Sequence, residues 1–265
     1  SFNPITDIIH IYDHQRLYTA NAPKGLVSCG ADLYWIENGT NVFRGRKDGG
    51  SAKSSIVSGL GGRAYDLVLR GGALYISDAY KNGIYCILKA DLQGQTIQVF
   101  NLPGTLIKGL EKAAMNLLAV NSYDTGVYSI NFNTGATTLL TTVNSTAFDV
   151  TVVDTNLIWS LETGGNVYIY KRSLGGGGAF DLIFTSPGSS VRYMDSIDNR
   201  LFFGYTSFAG SYLGSVGVRE TVGSRGEATA ALVVFSTGLQ GIVVERLNQV
   251  KNDYDGDGIA DRSVY

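Results

Sequence analysis

Histidine, cysteine and proline are all scarce in this chain: its 265 residues hold two His, two Cys and four Pro. Two cysteines, Cys29 and Cys86, do not make a disulfide framework. They are expected as free thiols buried like small core residues. Both histidines, His10 and His14, fall in "HIYDH" on one face of an extended segment, with no third metal ligand nearby in sequence. Surface or turn histidines are the plainer reading, and general-base chemistry on histidine is not expected. Charged residues make up only 17% of the chain and the net charge is −2, so there is no bulk electrostatic case for nucleic acid or an anionic membrane. No apolar run is long enough to span a bilayer. No serine elbow, zinc cluster or dinucleotide fingerprint occurs. The glycine run "SLGGGGAF" lacks the Lys-Ser/Thr of a phosphate loop and reads as a hairpin turn. Sustained helical periodicity with caps is absent too.

What remains is β-like. Glycine is abundant at 34 residues and tyrosine numbers 16, whereas the Lys and Glu of cytosolic helix surfaces are few. This composition suits an all-β protein that is secreted, extracellular or periplasmic; a bacterial source is expected.

The chain also repeats. "LYWI", "LYIS", "LLAV", "LIWS" and "LFFG" begin at Leu33, Leu74, Leu117, Leu157 and Leu201, at intervals of 41, 43, 40 and 44 residues. Each follows a tight polar or glycine turn. In four of the five a second β-like run starts nine or ten residues later, at Val42, Ile84, Val127 and Val167. An apolar run precedes each Leu ("LVSC", "YDLVL", "FDVTVV") and a further strand follows ("SSIV", "TTLLTTV"). Four short strands per repeat of about forty residues predict a β-propeller, because one small sheet buries both faces only when packed between others. The "LYWI" and "LYIS" strands, with the hairpin into "VFRGRKDGG", resemble six-bladed propellers of the YWTD and NHL kind over about residues 20 to 240. The resemblance implies the architecture and no specific ligand.

The expected fold is thus one six-bladed domain over residues 1–265. Its closing blade combines an outer hairpin from residues 1–20 ("IIHIYD", "RLYTA") with two inner strands from 241–265 ("GIVVERLNQV", "IADRSVY"). Shared closure of this kind hides strand edges that would otherwise template aggregation.

Between those last two strands runs "DYDGDGIAD". Asp253, Asp255 and Asp257 alternate, Gly258 permits a sharp turn, and the Ile259 carbonyl and Asp261 complete an oxygen cage suited to calcium. The EF-hand Glu is missing, since Val264 takes its position, and a strand rather than a helix follows. "DYDGDGIADRSVY" is similar to the calcium loops of FG-GAP repeats, which implies one structural Ca2+ in a hairpin of the blade. A second candidate site comes from repeat position alone. Lys24, Tyr65, Lys108, Phe148 and Arg192 each lie nine residues before the strand-two Leu, and are expected around one channel mouth, where they would hold an anionic or sugar ligand. Ordinary rim residues are the simpler alternative.

These features favour a non-enzymatic, calcium-stabilised module of an extracellular or cell-surface assembly that binds protein or carbohydrate. The alternative is a calcium-dependent propeller hydrolase of the lactonase kind, to which Asp66, Asp149 and Asp195 would contribute from the innermost strands.

Overall fold

The computed structural model describes residues 17–217, apart from short breaks at 103–105, 114–115, 123–125, 144, 176–178, 188, 198–199 and 208–209. All regular structure among them is strand, and no helix is long and apolar enough to cross a membrane. The first blade comprises β1 (Pro23–Cys29), β2 (Asp32–Glu37), β3 (Asn41–Arg46) and β4 (Ser54–Val57). The second is β5 (Leu67–Arg70), β6 (Ala73–Lys81), β7 (Ile84–Asp91) and β8 (Thr96–Phe100). The third is β9 (Ile107–Ala113), β10 (Asn116–Asn121), β11 (Gly126–Asn131) and β12 (Thr137–Thr142). The fourth is β13 (Thr146–Val153), β14 (Asn156–Thr163), β15 (Asn166–Ser173) and β16 (Asp181–Pro187). A fifth sheet shows three strands: β17 (Ser189–Ile197), β18 (Arg200–Ser207) and β19 (Gly210–Gly217).

Every sheet is an antiparallel meander in chain order, and the first strands of successive sheets lie side by side. Among the described residues this is a propeller ring of four complete four-stranded blades and a three-stranded fifth sheet. The five leucines of the repeat all fall in second strands, as their spacing predicts. Strand β19, "GSYLGSVG", was not foreseen, because glycine and serine dilute its alternation. The closing blade expected from 1–20 and 241–265 lies outside the described residues except for 17–20, as does the loop 253–261. Within 17–20, Tyr18 stacks on Trp35 with ring centroids 5.2 Å apart and donates its hydroxyl to the Arg46 carbonyl at 2.8 Å.

Tight hairpins follow from local chemistry. Asn82-Gly83 (φ 53° and 86°) joins β6 to β7, the left-handed pair that a two-residue turn needs to match strand twist. Alternation along the second strands then feeds two cores at once. On β6, Leu74 and Ile76 pack towards blade 1 with Tyr34, Ile36 and Leu67, whereas Tyr75 packs towards blade 3 with Leu110, Leu117 and Ile130. On β14, Leu157 and Trp159 join Leu118 and Val150, and Ile158 joins Val191, Leu201 and Phe203 of the next sheet. Four apolar layers between blades result. Each fully buried Leu, Ile or Phe in them contributes roughly 1.5–3 kcal/mol. Both cysteines are free; Cys86 is buried and its thiol is pushed up to about 11 by burial, while Cys29 is only half-buried.

Blades also touch through backbone. Gly94, in the turn between β7 and β8, has φ +87°, and a Cβ there would stand 1.6 Å from the Ile56 carbonyl oxygen of blade 1. Gly94→Ala is therefore expected to cost more than about 1 kcal/mol, through both the left-handed backbone and separation of blades 1 and 2. Urea denaturation checks this; an unchanged midpoint would show that the turn sits clear of blade 1.

Candidate functional site

Strand pairing puts the inner positions of the repeat in one frame. Leu26, Leu67, Leu110, Val150 and Met194 lie opposite Trp35, Ile76, Ala119, Trp159 and Phe203 on the second strands. Immediately before them stand Gly25, Asp66, Gly109, Asp149 and Tyr193, and before those stand Lys24, Tyr65, Lys108, Phe148 and Arg192. The last five thus occupy equivalent places around the ring. Four of their side chains interact across blades. The Lys24 ammonium lies 5.3 Å from the Tyr65 ring centroid, and that of Lys108 lies 4.1 Å from Phe148. Cations of blades 1 and 3 thereby sit over aromatics of blades 2 and 4, contacts of about 0.5–2 kcal/mol depending on desolvation. Arg192 has its backbone in β17, and its side chain is outside the described residues.

The channel itself holds a cavity of about 420 Å³ walled by the inner strands of all five sheets. Lys24, Tyr65, Lys108 and Phe148 are not among its lining residues. Its walls instead carry four carboxylates, Asp66, Glu111, Asp149 and Asp195, with Lys112 as a cation. Asp66 accepts backbone N–H bonds from Leu67 and from Leu110 of the next blade, both at 2.8 Å. Asp149 repeats this two blades on, accepting from Val150 at 2.8 Å and from Met194 of the fifth sheet at 2.5 Å. The glycines between them make room. A Cβ at Gly25 would meet Asp66 Oδ1 at 3.0 Å, and one at Gly109 would meet Asp149 Oδ1 at 2.7 Å. Each aspartate therefore leans on the blade before it and holds the blade after it. Glu111 does similar work in blade 3, accepting from its neighbour Lys112 N–H at 2.6 Å and from the Thr151 hydroxyl of blade 4 at 3.0 Å.

Burial pushes the Asp66 carboxyl up to about 7, against the pull of its two N–H donors and with a further rise from nearby Asp195. Burial likewise pushes Glu111 to about 7. Asp149 is raised well above the usual range by burial and by the charge of Asp66. Among the described residues, no three His, Cys, Asp or Glu side chains come together closely enough to hold a metal ion. The aspartates Asp66, Asp149 and Asp195 were visible in sequence as residues of innermost strands; Glu111 and Lys112 were missed. The usable signal was the alternation "KG", "YD", "KG", "FD" at one repeat position, which places a small residue beside each acid.

This geometry defines the chain as a β-propeller, and backbone comparison agrees. It is similar to a propeller chain in the crystal structure of a nidogen/laminin complex, with a TM-score of 0.63 and 14% identity over 75% of this chain and 77% of that one. It is also similar to a putative TolB from Agrobacterium tumefaciens, with a TM-score of 0.62 and 13% identity over 79% of this chain and 80% of that one. The computationally designed Ika8 protein aligns with a TM-score of 0.53 and 11% identity over 74% of this chain and 58% of its own. At these identities the likeness concerns the fold alone. No family model and no curated protein sequence matches the chain.

Because Asp66 and Glu111 have raised values in the folded state, folding takes up protons between about pH 4 and 7. Their contribution to stability is full below pH 4 and is lost as the pH rises through 7. Glu111→Gln is expected to flatten that decline, by up to about 1.4 kcal/mol per pH unit in the steepest region. Denaturation series at several pH values check it; a slope identical to that of the parent protein would place Glu111 in water.

Proposed function

We propose that the protein is a non-enzymatic binding or structural module of an extracellular or cell-surface assembly, built as a six-bladed propeller and stiffened by one calcium ion. The observation that carries this reading is the engagement of the channel acids. Both oxygens of Asp66 and of Asp149 are held by backbone N–H groups, so these side chains tie blades together rather than stand free for proton transfer. A ring braced in this way presents its loops rigidly, which suits recognition. One structurally similar chain comes from a complex of two proteins, which supports a protein partner. A glycan is the other partner class, met at the mouth by Lys24, Tyr65, Lys108, Phe148 and Arg192. A double variant Lys24→Ala/Lys108→Ala is expected to weaken binding of a sulfated oligosaccharide about tenfold or more. Surface plasmon resonance reads this, and equal affinity of variant and parent would remove the mouth as a binding site.

Calcium belongs to the loop Asp253, Asp255, Asp257, Ile259 and Asp261, where an ion would screen carboxylates beside the strand that closes the ring. An ion bound only by the folded state at a hundredfold excess over Kd adds about 2.7 kcal/mol. Chelation is expected to lower the melting temperature, and Asp255→Ala to abolish that response. A melting curve unchanged by exhaustive chelation would count against the site.

The calcium-dependent hydrolase remains a second reading, favoured by Asp66, Asp149 and Asp195 lining one cavity together with Glu111. Turnover of a lactone by the calcium-loaded protein, lost in Asp149→Asn, would establish it and displace the module reading.

A further inference from the structure

Blades 1 and 4 carry tryptophan at the same place, and the surroundings of the two indoles differ. Trp35 lies opposite Phe43, and Trp159 lies opposite Tyr170. Two residues beyond each indole stand Glu37 and Leu161; the residues just before the outer strands are Lys53 and Phe180. In blade 1 the indole N–H donates to Glu37 Oε1 at 2.8 Å, Lys53 binds the same oxygen at 2.6 Å, and Tyr18 covers the ring. That position is full and its polar groups are satisfied.

In blade 4 the charge pair is replaced by Leu161 and Phe180, and a cavity of about 200 Å³ opens towards blade 3. Trp159 forms one wall. It stacks on Tyr170 at 5.9 Å, and Phe180 meets it edge-on at 5.5 Å. Trp159 is 1% exposed, yet its indole N–H finds no acceptor among the described residues. Thr142 and Ser145 supply hydroxyls to the lining, and among the described residues no charged side chain lines it. The Ser145 hydroxyl donates to the Glu162 carbonyl, which leaves its oxygen lone pairs able to accept.

We infer that this cavity is a subsite for one neutral pyranose ring, with the Trp159 indole N–H donating to a sugar oxygen and Tyr170 and Phe180 flanking the C–H face. The inference deepens the reading of the protein as a binding module and rests on it. It uses other residues than the channel mouth, since its walls come from second, third and fourth strands and from the segments leading into β13 and β16. Each part of the chemistry is matched. A buried donor without a partner demands an acceptor from the ligand. Hydroxyls that both give and accept hydrogen bonds suit an alcohol-rich ligand. The lack of charge among the described lining residues disfavours acids and amines, and aromatic walls around a few polar groups are the usual make-up of a small-molecule site. A purely apolar side chain of a peptide would leave the indole N–H unsatisfied.

The test is titration of the intact protein with the methyl glycosides of glucose, galactose, mannose and N-acetylglucosamine, followed by saturation-transfer NMR and tryptophan emission. Saturable binding of at least one is expected. Trp159→Phe, which keeps an aromatic wall but removes the donor, should weaken it about tenfold or more. Phe180→Ala should weaken it comparably, and because Phe180 is 50% exposed this variant is expected to fold. Ile97→Ala, at an exposed position of β8 in blade 2, should leave it unchanged. No saturable binding by any of the four, equal affinity in both pocket variants, or tighter binding of a leucine-containing tripeptide in competition would each overturn the subsite. Binding of the sulfated oligosaccharide without glycoside binding would overturn the subsite while leaving the module reading intact.

Discussion

The whole molecule depends on one constraint: a small twisted sheet whose two faces are both apolar must be packed between two others. The second strands make this plain. Neighbouring residues Leu74 and Tyr75, or Leu157 and Ile158, enter different cores, because strand side chains alternate. No blade is therefore stable alone. The ring follows from that mutual dependence, and so does the narrow channel that its first strands enclose.

Channel walls are a difficult place for carboxylates, and the chain resolves the difficulty with geometry. Glycine in blades 1 and 3 alternates with aspartate in blades 2 and 4, so each acid has space on one side and a backbone donor on the other. Carboxylates accepting two N–H bonds favour ionisation, whereas burial opposes it, and here burial wins. The axis is thus held by hydrogen bonds that span blades. Lys24 and Lys108 add a similar link by lying over the aromatic ring of the following blade.

Quasi-equivalent blades are free to diverge while they keep one frame. At the tryptophan position, blade 1 uses a buried glutamate. Burial works against its charge, but hydrogen bonds from Lys53 and Trp35 outweigh it and hold the carboxyl below the usual range. Blade 4 discards both charged partners and keeps the indole. The same backbone therefore supports a closed polar cluster in one place and an aromatic cavity in another, which is how a repeat fold acquires sites without altering its frame.

Much of the frame was legible in the chain itself. Recurrence of Leu33, Leu74, Leu117, Leu157 and Leu201 set strand number and order in the first four blades, since spacing and alternation are local properties. Positive-φ turns such as Asn82-Gly83 were local as well. The repeat also placed Lys24, Tyr65, Lys108 and Phe148 at equivalent positions. It did not reveal that the lysines lie over the rings of the next blade while the cavity beside them is lined by acids. Nor did it single out Glu111 or Trp159. Whether a side chain turns towards the channel, a neighbouring blade or a cavity depends on residues some forty positions away in sequence. Sequence alone determined how each blade is built; tertiary packing decided what faces what, because those contacts arise only when separate sheets are pressed together.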